Sequence, residues 1–338
     1  MTSTEYVLDN NNQLVVVYLS RFGCLNYTET ILKGLQHMDP FIICCQENVD
    51  YFSAYNTFPI DTPKSKLSMA TQSLSIARKV NQLMGSIKTS KPLELLIPAF
   101  HPWNHFFINW ANKNDTKSSL VVHDFYTHKG ESSVLIEALQ KKAMTSADRI
   151  IFLSNFVKDQ AIAACGTIPI SAVIPHPTIE AGATNNLPYN PKPNLLFMGR
   201  VKEYKGINLL ISAIQDLPIN KLTIAGEQTG LAIEDSPKLN IIDKYLTEAE
   251  IAALLASHEI LVLPYLEATQ SGILTLGISA KMVMLVSAVG GLPEQLNEDM
   301  AVWVKPTIQS IRESLINLIS NEEMYSKVKT NISKLSGQ

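Results

Sequence analysis

The chain has 338 residues, more than one hydrophobic core usually holds, so its length points to two domains. Hydrophobic residues make up 46% of it and charged residues only 17%, and a net charge of −3 leaves no basic footprint for nucleic acid. Its longest apolar runs are far short of the ~20 residues that span a bilayer, and residues 1–12 lack the basic-then-apolar pattern of a secretory signal, so a cytoplasmic protein is expected.

In chain order, short aliphatic and β-branched runs at 14–19, 41–45, 93–98, 119–123, 149–153 and 172–175 alternate with helical stretches. Apolar runs of this length suit strands of a parallel sheet covered on both faces by crossover helices. The scheme repeats at 194–198, 221–225, 239–242, 259–263, 284–288 and 300–304. The reading is an α/β chain of two Rossmann-like, doubly wound domains facing each other across a cleft at the carboxyl ends of both sheets.

Between the halves, residues 175–193 carry Pro175, Pro177, Pro188, Pro191 and Pro193, a linker composition. The expected boundaries are 1–189, 190–320 and a final helix over 321–338 that packs back on the first domain. Thr247 with Glu250 forms a capping box ahead of a helix that ends near His258. Cys24, Cys44, Cys45 and Cys165 show no metal-ligand spacing and read as reduced core thiols without chemistry.

The stretch 197–206 carries most chemical information: a buried strand ends in Gly199-Arg200, and a helix begins after Lys205-Gly206. Fixed cations at such a turn stabilise the charge that develops on a departing diphosphate, although alone they are equally a solvated surface pair. Further on, a strand end leads through Glu267 and Gln270 to a helix opening at Ser271 or Gly272. That N-terminus is a ready anion site.

These pieces, with Thr223-Ile224-Ala225-Gly226 and Gly290-Gly291-Leu292-Pro293-Glu294, resemble in order and spacing the C-terminal domain of retaining glycosyltransferases of family four, which have the GT-B architecture. The first half is similar to that family through Val121-Val122-His123-Asp124, Ala147-Asp148-Arg149 and Val173-Ile174-Pro175-His176. The loop Glu267-Ala268-Thr269-Gln270-Ser271-Gly272, with Ile242-Asp243-Lys244-Tyr245, resembles one branch of it. The sequence departs from the family at Thr275, eight positions after Glu267, where a second glutamate usually holds the nucleotide ribose. Ala280-Lys281-Met282-Val283 likewise replaces Gly-Lys-Pro-Val.

The resemblance implies that a nucleotide-diphosphate sugar is the donor substrate, with no separate cofactor. Arg200 and Lys205 would bind its diphosphate and Glu267 its sugar, with Gly199, Gly226, Asp243, Gln270, Ser271, Gly272 and Thr275 lining the donor pocket. His123 would sit near the reacting centre, although the residues alone favour a structural imidazole beside a turn-capping Asp124. Gly23, His101, Trp103 and Asp124 are the acceptor-side candidates, Trp103 by stacking on a sugar. No Asp-x-Asp pair occupies a strand-end loop and His101 and His105 lack a third ligand, so metal-independent transfer is expected. The acceptor would be a glycan or glycolipid in surface polysaccharide assembly (O-antigen, capsule or exopolysaccharide), with at most peripheral membrane contact. A catalytically silent binding partner and a nucleotide-sugar epimerase on the same fold are the alternatives.

Overall fold

The computed structural model describes residues 14–21, 23–63, 65–87, 93–126, 134–228, 233 and 236–335. Phe22 and the polar start at residues 1–12 lie outside them. The chain divides into two compact units at Pro175/His176.

The first unit holds seven strands: β1 (Leu14–Tyr18), β2 (Phe41–Cys45), β3 (Asn56–Ile60), β4 (Glu94–Ile97), β5 (Lys117–Val122), β6 (Arg149–Phe152) and β7 (Ile170–Val173). Its described helices are α1 (Leu25–Gly34), α2 (Lys66–Ser86), α3 (Asn104–Lys113), α4 (Val134–Ser146) and α5 (Asn155–Cys165). All strand pairs are parallel, in the order β3-β2-β1-β4-β5-β6-β7. Strand β1 shows why the runs are continuously apolar. Val15 and Val17 join one core with Ile43, Leu95 and Phe107, while Val16 and Tyr18 point to the other face, with Ile42, Val121 and Leu32.

Strand β3 has no counterpart among the expected runs. It is an edge strand that contains Pro59, and of its five residues only Ile60 is buried. An edge position tolerates proline and weak apolar patterning because one side needs no ladder hydrogen bonds.

The second unit holds β8 (Asn194–Met198), β9 (Lys221–Ala225), β10 (Leu239–Ile242), β11 (Ile260–Leu263), β12 (Val283–Ser287) and β13 (Val302–Val304), parallel in the order β10-β9-β8-β11-β12-β13. Its helices are α6 (Ile207–Ala213), α7 (Glu248–Ser257), α8 (Gly272–Ser279), α9 (Leu292–Gln295), α10 (Ile308–Ser320) and α11 (Glu322–Leu335). Thr247 and Glu250 form the expected reciprocal capping box, and α7 ends at Ser257.

The expected boundary at 189/190 is corrected to 175/176. Residues 176–189 pack on the second unit: Ala181 N donates to Ser279 Oγ (3.1 Å) and Asn185 N to Ala280 O (2.7 Å). Asn185 Nδ2 also donates to the Leu255 and His258 carbonyls, each at 2.7 Å. Proline content marks a stretch without regular structure but does not say which body it lies against. The final helix is corrected too. Tyr325, Val328 and Ile332 of α11 enter the core of the second unit, and Lys329 Nζ donates to Asn185 O (2.8 Å) and Oδ1 (2.7 Å).

Candidate functional site

In the second unit the strand order reverses between β8 and β11, which are adjacent although β9 and β10 intervene in sequence. Connections leave such a pair toward opposite faces and open a crevice outside the carboxyl ends, where α/β sheets bind ligands. The loop after β8 carries Gly199, Arg200 and Lys205, and the loop after β11 carries Glu267, Gln270, Ser271 and Gly272. Leu266 N donates to Tyr204 O at 2.8 Å, tying the loops together.

Glycine is required where these loops touch. At Gly206 (φ 69°) a Cβ would stand 1.9 Å from Pro264 O, and at Gly226 (φ 142°) one would stand 2.2 Å from Gly199 O. Both are left-handed or related backbone conformations that side chains rarely adopt. Gly199 lies against the first turn of α8, with Ile273 Cγ1 3.4 Å from its missing Cβ.

Arg200 is exposed and has no ion-pair partner among the described residues. Lys205 is half-buried, its Nζ 3.7 Å from the centroid of the fully buried Tyr265 ring. The Tyr265 hydroxyl lies 3.4 Å from Ser271 Oγ, and burial pushes its phenol up to about 12. Ser271 caps α8 by accepting from Leu274 N (3.3 Å), while its own N–H donates to Gln295 Oε1 (2.7 Å). The cap takes the Leu274 N–H and Gln295 takes that of Ser271, which leaves the N–H groups of Gly272 and Ile273 at the start of α8 for an anion. His176, from the segment that packs on this unit, brings Nε2 to 4.0 Å from the position of a Gly272 Cβ.

Glu267 is half-buried, and its loop meets the glycine motif through Gly291 N donating to Ala268 O (3.1 Å). Thr275 is 2% exposed, and its hydroxyl donates to Gly272 O of its own helix at 2.8 Å. It therefore turns inward. Gly226 and Asp243 follow β9 and β10, on the other side of β8, where Asp243 Oδ1 accepts from Gln228 N (2.8 Å).

The first unit has the same kind of reversal between β1 and β4. Gly23 (φ 81°) follows β1 and has open space where a Cβ would go, so conformation alone requires glycine there. His123 follows β5 and is 8% exposed, with Nε2 2.8 Å from Pro98 O and Nδ1 3.5 Å from Cys24 Sγ. Burial, more than any neighbour, lowers its pKa below the usual 6.5. Asp124 is half-buried, and its carbonyl accepts from Gln140 Nε2.

Trp103 is corrected: at 2% exposure it packs in the core and offers no ring face to a sugar. His101 lies T-shaped to that ring, and burial, then the Arg21 charge, lowers its pKa to about 4. Cys24 and Cys165 are also corrected from the core-thiol reading, both being half-buried, whereas Cys44 and Cys45 are buried. Sequence reasoning missed Tyr265, Gln295 and Cys24 because each acts through a partner distant in the chain. Only the aromatic Tyr265 directly after Pro264 carried a local signal. No group of three or more His, Cys, Asp or Glu placed to hold a metal occurs among the described residues, and no described helix is long and apolar enough to cross a membrane.

Residues 183–335 match the family model described as glycosyl transferases group 1. An uncharacterized glycosyltransferase of Methanocaldococcus jannaschii is 24% identical over 218 residues, covering 60% of this chain and 60% of that protein. A subunit of phosphatidylinositol N-acetylglucosaminyltransferase from Saccharomyces cerevisiae is 23% identical over 228 residues, covering 60% of this chain and 49% of that one. The matches therefore span about half to three fifths of these relatives. Among solved structures, Anabaena HepE in complex with UDP superposes with a TM-score of 0.75 at 11% identity, covering 96% of this chain and 95% of that one. Sucrose-phosphate synthase from Thermosynechococcus elongatus does so with 0.73 at 12% identity and the same coverage. The fold is GT-B.

Proposed function

We propose that the chain is a retaining glycosyltransferase that moves a sugar from a nucleotide-diphosphate donor to a hydroxyl of a glycan or lipid-linked glycan. The observation that carries this reading is the β8/β11 crevice, whose two bonded loops carry Arg200, the ring-seated Lys205, Glu267 and the capped N-terminus of α8. Such an arrangement suits a diphosphate that gains charge as it leaves. The group 1 match over this unit and the structural neighbour that holds UDP point the same way and make a UDP-sugar the first donor to test.

In the proposed reaction the bond between the anomeric carbon and the β-phosphate oxygen breaks. The acceptor oxygen bonds to the same face of that carbon, and its proton passes to the departing diphosphate. Arg200 and Lys205 supply the positive charge that a divalent ion would otherwise provide. Glu267 orients the donor sugar, and the first unit supplies acceptor-side groups around His123. A role in surface polysaccharide assembly fits this chemistry.

The test is thermal stabilisation by UDP, GDP, dTDP and ADP and their sugar conjugates, without and then with magnesium. A ligand that binds only the folded state raises the melting temperature by mass action. A selective, metal-independent rise that disappears in Arg200→Ala supports the reading. The absence of any rise would transfer it to a silent binding partner.

A further inference from the structure

The loops after β11 and β12 leave the same end of the sheet, since these strands pair in parallel with Leu263 opposite Val286. The loop after β12 turns at Gly290-Gly291, where Gly291 N donates to Ala268 O (3.1 Å), and enters the short α9. Leu292 and Leu296, three residues before Gln295 and one after it, are buried in the core and fix the backbone that carries it. The Gln295 amide reaches Ser271, 24 residues away in the chain: Oε1 accepts from Ser271 N at 2.7 Å, and Nε2 stands 3.5 Å from Ser271 O. A backbone N–H only donates, so the amide oxygen must face it, and the amide nitrogen then falls toward the carbonyl.

Ser271 is the residue on which α8 is built. Its Oγ caps Leu274 N (3.3 Å) and lies 3.4 Å from the Tyr265 hydroxyl, and its carbonyl accepts from Thr275 N (3.3 Å). The Ser271 carbonyl and the Gly272 N–H belong to one planar trans peptide and point in opposite directions. A side chain that holds both ends of Ser271 therefore sets where the Gly272 N–H points. The chemistry of the clamp matters as well. An amide supplies the acceptor and the donor without charge, whereas a carboxylate would accept the same N–H but lower the positive potential at the start of α8, and a lysine or arginine could not accept at all.

We propose that Gln295 is a positioning residue for the donor diphosphate, acting through the Ser271 backbone to aim the Gly272 and Ile273 N–H groups at a phosphate oxygen. Its role toward the donor rests on the glycosyltransferase reading of the β8/β11 crevice, whereas its hold on Ser271 is read without any ligand.

Two substitutions in the full chain separate position from charge. The side chain is only half-buried, so both variants keep the fold. Gln295→Met preserves length but has no amide. In the ligand-free protein its Ser271 amide is expected to exchange with solvent about tenfold faster than in the wild type, read by NMR. UDP should bind about tenfold more weakly by titration calorimetry, by a factor that salt leaves unchanged. Gln295→Glu keeps the acceptor and adds a charge. Its Ser271 amide stays protected, and UDP weakens about tenfold at about 50 mM salt but only about threefold at about 500 mM, where screening is stronger. An unchanged Ser271 exchange rate in Gln295→Met would overturn the proposal, as would UDP affinity in that variant within about twofold of wild type. A loss in Gln295→Glu that salt does not relieve would overturn it too, by marking a packing role. If the wild type binds no UDP, the donor reading falls and the role of Gln295 toward the donor with it, while exchange of the Ser271 amide still decides whether Gln295 holds that residue.

Discussion

The ammonium of Lys205 lies 3.7 Å from the centroid of the Tyr265 ring, and the hydroxyl of that ring reaches Ser271 Oγ at 3.4 Å. One buried tyrosine thus links the cation of the β8 loop to the cap of α8. A ring face orients an ammonium without cancelling its charge, which suits a group that is to meet an anion.

The Tyr265 link predicts unequal effects of two substitutions. Tyr265→Phe keeps the ring under Lys205 and should hold UDP within about threefold of wild type. Tyr265→Leu removes the cation–π contact, worth up to about 2 kcal/mol when desolvated, and should weaken UDP by about tenfold or more. Titration calorimetry on both variants decides it, and equal affinities would show that Lys205 needs no aromatic seat.

Arg200→Ala should lower turnover on the order of 10²-fold while the fold persists, because the side chain is exposed and ion-paired to nothing among the described residues. Steady-state kinetics with saturating donor reads this. A loss below about threefold, under 1 kcal/mol of barrier, would remove Arg200 from the reaction.

Two glycines separate conformation from contact. Gly23→Ala meets open space and should cost about 1 kcal/mol for its φ of 81° alone. Gly206→Ala also forces a Cβ to within 1.9 Å of Pro264 O and should cost about 3 kcal/mol or more. Urea denaturation of each variant should rank them in that order.

Because the Thr275 hydroxyl is committed to Gly272 O, Thr275→Val should leave UDP affinity within about threefold. A larger loss, measured by the same titration, would place the ribose contact on Thr275 after all.

Acid should loosen the first unit through His101. Its folded pKa of about 4 lies below the ordinary 6.5, so the neutral ring favours folding above 6.5, and that contribution is lost as pH falls toward 4. Hydrogen exchange of β4 and β5 amides should accelerate over this window in the wild type. His101→Asn should show a shallower pH dependence, and an unchanged one would assign the effect to other groups.

Most strands are legible in the residue pattern. Runs such as 41–45, 194–198 and 221–225 coincide with β2, β8 and β9, since a strand buried on both faces must be apolar throughout. The Thr247/Glu250 cap is legible because its two partners lie three residues apart. Arg200, Lys205 and Ser271 are legible as members of strand-end loops, since parallel strands deliver their following loops to one end of the sheet. The edge strand β3 and the packing of 176–189 and α11 on the second unit are not, because an edge needs no apolar pattern and a linker's composition does not name its contact surface.

The sequence by itself determined the βα alternation, the two-unit plan and the loops that carry candidate chemistry, because these follow from local periodicity and short-range spacing. Tertiary structure alone decided which side chains meet across those loops. It seated Lys205 on Tyr265, turned Thr275 into its own helix, buried Trp103, and set Cys24 against His123 across 99 residues of chain. Contacts of that separation arise from strand order in the folded sheet, and no local pattern encodes it.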